Sequence, residues 1–409
     1  MDIQRNVRRD PTAFWTFINS KRESSRIPCR MYCGDSEYTD PNSVTTAFME
    51  YFASVYESSS DVQFSPDTDS GCADGIIPLP VFTGDDVLRS ARRMKPKMSC
   101  GPDGIPYFIV RDCVGALAQP LAELFNLSIR SLIFPTRRKL ARVSAVHKKG
   151  DRSDIRNYRP ISLLCGFSKL FEMCVYDCIY PGVRPQISRH QHGFMTERST
   201  VTNLASFSQF ISEVVQDKGQ VDVVYTDFTK AFDKVSHSLL IHKLYNFGFS
   251  GSMLRFFHSY LQGRLQYMEY RGYRSPNYVV TSGVPQGSNL GPLLFLMYIN
   301  DISEEIGVEF CLFADDLKVY KPIKSVEDCC QMQQTLNNLH RWCEQNKLRF
   351  NISKCFAMTV SLKKLGLHRI FGLYSPGRII GHFSSIRPLS NNAFFGRIVS
   401  PNNYKSKRN

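Results

Sequence analysis

Two acid-bearing segments hold the chemistry that this sequence can do. The first, Val221-Asp222-Val223-Val224-Tyr225-Thr226-Asp227, is an apolar run ending on a carboxylate. Side chains alternate along a strand, so Asp227 falls on one face at the strand's end. A carboxylate there is costly unless it is paired or binds a cation. In the second segment, apolar residues flank Ala314-Asp315-Asp316 at a predicted tight turn. Adjacent carboxylates repel each other, although Asp also favours turns for local hydrogen bonding, so this pair alone is a weak signal. Taken with Asp227 it is stronger. Three acids at the ends of neighbouring strands could hold two magnesium ions, hard cations that prefer oxygen ligands. Two such ions clamp the attacking and leaving oxygens of a phosphoryl transfer. In this reading Asp227 and Asp315 bridge the ions and Asp316 supports them.

Other residues suit such a site, each with a plainer alternative. Phe232 lies five positions after Asp227. Its ring could lie beneath a nucleotide sugar and exclude a 2′-hydroxyl, or be a core phenylalanine. Ser282–Pro292 is a Gly-rich loop before a helix, with Gln286 and Gly287 at its centre. It could bring backbone close to a base pair or phosphate, or be only a turn. Lys148, Lys149 and Arg159 could grip triphosphate oxygens, or form a solvated basic face. His190 and His192 have the look of a metal pair, but no third ligand sits at helpful spacing.

The elements that must position these residues follow from apolar period and punctuation. Strands are expected at 141–147, up to Asp227, at 265–270 paired with 277–281, and at 308–313 and 317–320 around the acidic turn. Helices are expected from Asp85, over 117–134, near 168–178, over 238–261 with a break at Ser250-Gly251, from Pro292 to Ile299, and over 326–346. A short amphipathic helix is expected over 11–21. Residues 1–80 read as an N-terminal preamble or linker, with Ser58–Gly75 its loop-like part. Residues 81–135 read as a helical segment, 136–362 as the chemical core and 363–409 as a poorly ordered tail without period.

Composition bounds the class. A chain of 409 residues, 43% hydrophobic, with 29 Phe, 19 Tyr and 2 Trp, can bury a sizeable core. The formal net charge of +14 points to a polyanionic partner such as nucleic acid. None of the 13 cysteines forms a C-x2-C pair, and they read as reduced thiols with no disulfide-linked partner. No apolar run is long enough to span a bilayer, and no secretory signal opens the chain, so an intracellular protein is expected.

Six motifs in order resemble the reverse transcriptases of non-LTR retrotransposons, of the jockey type from arthropods. They are Asn157–Ser162, Gln191-His192-Gly193-Phe194, Arg198-Ser199-Thr200, Tyr225-Thr226-Asp227-Phe228 with Lys230-Ala231-Phe232-Asp233, Ser282–Phe295, and Phe313-Ala314-Asp315-Asp316. Gly101–Pro106 and Lys148-Lys149-Gly150 look like the same family's earlier segments. The resemblance implies an α+β fold of the right-hand polymerase kind, with fingers and an antiparallel palm sheet backed by helices. It implies RNA-directed DNA synthesis from dNTPs on an RNA template and DNA primer, in the nucleus or cytoplasm. Asp227, Asp315 and Asp316 would be ligands of two magnesium ions, with manganese as a possible substitute. Phe228, Phe232, Gln286, Gly287, Arg159 and Lys148 would touch substrate, and Lys354 would give a proton to pyrophosphate. There are departures. Arg138 stands where a tryptophan is usual, and His147 where an aromatic is usual. After about residue 362 the primer-gripping strand and helical thumb do not follow. A truncated copy is the expectation, and a catalytically inactive nucleic-acid-binding remnant is the alternative to an active polymerase core.

Overall fold

The computed structural model describes residues 27–57, 77–361, 372–375 and 378–382. The helix expected over 11–21, the Ser58–Gly75 loop and most of the tail lie outside these residues.

Part of the stretch read as an N-terminal linker is folded. Strands β1 (Met31–Cys33) and β2 (Ser36–Tyr38) form a hairpin, followed by helix α1 (Pro41–Ala53). The Asp40 carboxylate accepts from the Ser43 amide at 2.8 Å, and Pro41 is pre-set for the first turn. Val44, Phe48 and Phe52 fall on one buried face. That stripe packs onto Val143, Ile155, Tyr158 and Met268, far along the chain.

Helices α2 (Gly84–Arg92), α3 (Tyr107–Asp112) and α4 (Val114–Arg130) come next. Thr83 and Asp86 close a capping box on α2. Helix α4 stops before its expected end at Phe134, because Leu132 turns left-handed with φ 58°. Strands β3 (Leu140–His147) and β4 (Tyr158–Leu163) then pair, followed by α5 (Gly166–Val183), α6 (Thr200–Gln216) and β5 (Gln220–Thr226). Helices α7 (His237–Asn246) and α8 (Gly251–Leu261) are divided at the expected break. After them run β6 (Arg264–Tyr270), β7 (Tyr273–Arg274), β8 (Tyr278–Val280), α9 (Leu290–Ile299), β9 (Glu309–Phe313), β10 (Asp316–Pro322), α10 (Val326–Gln345) and β11 (Phe356–Ser361). Within the expected tail, β12 (Gly372–Ser375) and β13 (Arg378–His382) pair with each other.

The architecture is α+β, built on two main sheets. One has four antiparallel strands in the order β11-β5-β10-β9. The other runs β4-β3-β6-β7 with β8 also on β6, and its β3–β6 pair is parallel. Helix α9 is buried on every side. It sits in the largest core beside Val224, Leu312, Leu317 and Val319 from one face of the four-stranded sheet. Helix α6 covers the other face, with Phe207 and Ile211 against Val221, Val223, Cys311 and Tyr320. Among the described residues all twelve cysteines are free, and no helix is long and apolar enough to cross a membrane.

Candidate active site

The acidic turn joins β9 to β10. Phe313 pairs with Asp316, so Ala314 and Asp315 form a two-residue hairpin turn. Ala314 is buried and adopts φ 55°, a left-handed conformation uncommon for a residue with a Cβ. Asp315 is half-buried and Asp316 exposed. Strand β5 lies beside β10, with Thr226 paired to Leu317. Asp227 is the residue after Thr226, and Asp316 the residue before Leu317. The register therefore brings Asp227 to the same strand ends as the acidic turn, as the alternation in the sequence predicts.

A loop from far along the chain laces onto Asp227. The Asn351 amide donates to the Asp227 carbonyl at 2.7 Å, and the Thr229 amide donates to the Arg349 carbonyl at 2.8 Å. This places Lys354, whose Nζ donates to the Asp227 carboxylate as an ion pair. The sequence points Asp227 to metal and, by resemblance, Lys354 to proton transfer, with no link between them. The same lacing corrects the reading of Phe228. Its ring is 3% exposed, stacks on Phe350 at 4.8 Å and meets Trp342 edge-on. Phe228 is a buried core residue, which leaves its side chain no access to a substrate.

Phe232 is partly packed into the core. One ring face stacks on Phe295 at 4.1 Å, while Phe194 approaches edge-on and the residue stays half-buried. Gln286 is tied down, with Nε2 donating to the Asp233 carboxylate at 2.7 Å and its carbonyl accepting from the Ser162 amide at 2.7 Å. Burial pushes the Asp233 carboxyl up to about 6 against the pull of Gln286. Gly287 follows at φ 114°, and a Cβ there would lie 2.6 Å from the Ser162 carbonyl oxygen. The loop thus presses against the end of β4, and glycine permits the close approach.

Lys148 and Arg159 come from the β3–β4 hairpin. The Lys148 amine is pushed down to about 8, first by partial burial, then by Arg159 and Lys354, with Asp227 pulling upward. These groups from both sheets lie within electrostatic range of one another. Lys354 pairs with Asp227, and Lys148 lies within range of Asp227, Lys354 and Arg159, a gathering of cations that suits an anionic substrate. His190 and His192 are no metal pair. The His190 ring lies against Phe310, and His192 Nδ1 bonds Thr202 Oγ1 at 2.8 Å.

Among the described residues no three His, Cys, Asp or Glu side chains are gathered closely enough to hold a metal ion. The expected carboxylate cluster is therefore not pre-formed, and Asp227 is engaged by Lys354. In kind, the donors still fit a hard divalent cation, since Asp227, Asp315 and Asp316 offer only carboxylate oxygens.

Two residues that sequence reasoning quoted only as motif letters belong to this site. Gln191 Oε1 accepts from the Ala314 and Gly193 amides, each at 2.8 Å. A Cβ on Gly193 would lie 2.3 Å from the Ala314 nitrogen. Their presence in the Gln191-His192-Gly193-Phe194 motif was the available signal.

The family model for "Reverse transcriptase (RNA-dependent DNA polymerase)" matches residues 146–369, more than half of the chain. The RNA-directed DNA polymerase from mobile element jockey of Drosophila melanogaster is 27% identical over 325 residues, covering 76% of this chain and 35% of its own length. The probable RNA-directed DNA polymerase from transposon BS of Drosophila melanogaster is 28% identical, covering 71% of this chain and 33% of itself. A third, from transposon X-element of the same species, is 30% identical over 253 residues, covering 59% of this chain and 27% of itself. The chain spans about a third of the length of the curated relatives it matches first. By its matched domain, its ordered motifs and these relatives, the chain belongs to the reverse transcriptase (RNA-dependent DNA polymerase) family.

Proposed function

We propose that this chain carries the polymerase core of a non-LTR retrotransposon and extends a DNA primer on an RNA template from dNTPs. The observation that carries the reading is the convergence of Asp227 with the Asp315-Asp316 turn at one end of neighbouring strands, facing Lys148, Arg159 and Lys354. The four-stranded sheet serves as palm. The five-stranded sheet with its β3–β4 hairpin serves as fingers, within a core of residues 136–362 preceded by the helical segment 81–135.

Asp227, Asp315 and Asp316 would hold two magnesium ions, or manganese in their place. When bound, such a pair lowers the pKa of the primer 3′-hydroxyl and neutralises charge on departing pyrophosphate. Lys148 and Arg159 grip the triphosphate, Arg by its planar fork and Lys as a point charge. The open part of Phe232 lies under the sugar and rejects ribonucleotides. Gln286, fixed by Asp233, and the Gly287 backbone meet the template or nucleotide base. Lys354 protonates pyrophosphate as it leaves. The net charge of +14 supports a nucleic-acid partner, and the place of action would be the nucleus or cytoplasm.

Primer extension with dNTPs and magnesium on an RNA template tests this, with incorporation expected. No incorporation by a folded preparation would overturn it. The pairing of Asp227 with Lys354, and the absence of a gathered carboxylate cluster among the described residues, favour one second reading, a nucleic-acid-binding remnant without synthesis. It predicts salt-sensitive binding to RNA–DNA hybrid and no product at any enzyme concentration.

A further inference from the structure

We propose that Gln191 is a positioning residue that holds Ala314 in its left-handed conformation and so fixes Asp315 and Asp316 relative to Asp227. The functional consequence rests on the reading above that these acids serve catalysis.

Asparagine or aspartate can support a left-handed residue by bonding its own backbone, and glycine has no Cβ to strain. Ala314 has neither resource, so its conformation must be imposed from outside. Gln191 supplies that support. It is 2% exposed, and its Oε1 takes the amides of both Ala314 and Gly193. Its Nε2 donates to the Ala314 carbonyl at 3.4 Å. One side chain thus engages both polar groups of the strained residue.

Gln191 is itself anchored. His192 N donates to the Leu312 carbonyl and Leu312 N to the His190 carbonyl, both at 2.9 Å, adding an extra rung to the edge of β9. Arg198 Nη1 donates to the carbonyls of Ser188, Arg189 and Gln191 at 3.2, 3.1 and 2.6 Å. Asn203 Nδ2 also takes the Leu312 carbonyl, at 3.0 Å. Gly193 gives the room, because any side chain there would collide with the turn. Because Gln191 engages the Ala314 backbone, its effect on the acids travels through the backbone of the turn.

The test uses the full chain with Gln191→Met, which keeps length but loses both acceptor and donor, and Gln191→Glu, which keeps the acceptor. Three quantities are read: amide exchange across 311–317, Mn2+ binding by electron paramagnetic resonance, and primer extension. For Gln191→Met, exchange at Ala314 should speed up by on the order of tenfold. Mn2+ affinity and kcat should fall by roughly 10- to 100-fold, the range for residues that orient metal ligands. The KM for primer–template should not change. Gln191→Glu should keep part of the Ala314 protection, and it decides the matter if the Met variant does not fold. Unchanged exchange and Mn2+ affinity in a folded variant would overturn the proposal. If wild type makes no DNA, the polymerase reading falls while the exchange data still judge Gln191.

Discussion

Lys354 is ion-paired to Asp227, the first of the three acids, through a loop that also hydrogen-bonds the Asp227 backbone. Under the proposed function, the lysine competes with a cation for the same carboxylate and serves as a proton donor. Lys354→Ala should lower kcat on the order of 100-fold, the usual worth of a general acid. It should tighten Mn2+ binding rather than weaken it. Thermal stability should barely move, because the pair is partly exposed. Primer extension, a Mn2+ titration and a melting curve check the three parts. Weaker Mn2+ binding in the variant would mean that Lys354 supports the acids instead of competing for them.

Asp227→Asn and Asp315→Asn should each cost incorporation roughly 1,000-fold or more, since under the proposed function cation binding at these oxygens supplies several kcal/mol to the transition state. Binding to RNA–DNA hybrid should persist with the same salt dependence, because that affinity comes from Lys and Arg. Single-turnover extension beside filter binding at several salt concentrations separates the two effects. Full activity in Asp315→Asn would remove it from the ligand set.

Asp233 makes stability depend on pH. Burial raises its carboxyl to about 6 from an ordinary 3.8, so the folded protein binds more protons in that window. Its contribution is fully present below the ordinary value and is lost as pH rises through about 6. His237 acts in the opposite sense. Burial lowers it to about 4 from 6.5, so its contribution is present above 6.5 and lost as pH falls through about 4. The two partly cancel in wild type. Asp233→Asn, whose amide oxygen can still accept from Gln286, should expose the His237 trend alone. The variant should gain about 2 kcal/mol over wild type at pH 7.5 and little at pH 4. Urea unfolding at both pH values measures this, and equal stabilities throughout would rule it out.

Phe232→Val should admit ribonucleotides while retaining some extension with dNTPs. It should also cost about 1–3 kcal/mol of stability through loss of the stack on Phe295. A comparison of kcat/KM for matched ribo- and deoxynucleotides decides between gate and core. A variant that is destabilised yet equally selective leaves Phe232 a core residue alone.

Phe48→Ala should destabilise the protein by about 3–5 kcal/mol, because this fully buried ring joins α1 to the five-stranded sheet. Helix α1 also reaches the loop after Asp227. Lys230 Nζ lies 4.3 Å from the centre of the Tyr51 ring and donates to its hydroxyl at 3.1 Å. Limited proteolysis of Phe48→Ala should therefore open the 27–57 segment first. Wild-type resistance there would show that α1 is dispensable to the fold.

Much of the site was legible in the sequence because its signals are local. Strand β5 and the β9–β10 hairpin follow from apolar alternation, and the glycines at 283 and 287 mark a loop. The break between α7 and α8 and the capping residues of α2 need only a few adjacent positions. What the tertiary structure decided lies at long range. Lys354 meets Asp227 and Gln191 meets Ala314 across more than a hundred residues of chain. Phe228 stands beside Asp227 in sequence, yet its ring turns into the core because Phe350 and Trp342 are brought beneath it. Helix α1 carries a clear apolar stripe, but its role waits on the sheet it covers. Period and capping describe how a segment satisfies its own backbone and which face it buries. Which distant partner that face or carboxylate meets is settled by packing and charge pairing, once the whole chain has closed around one core.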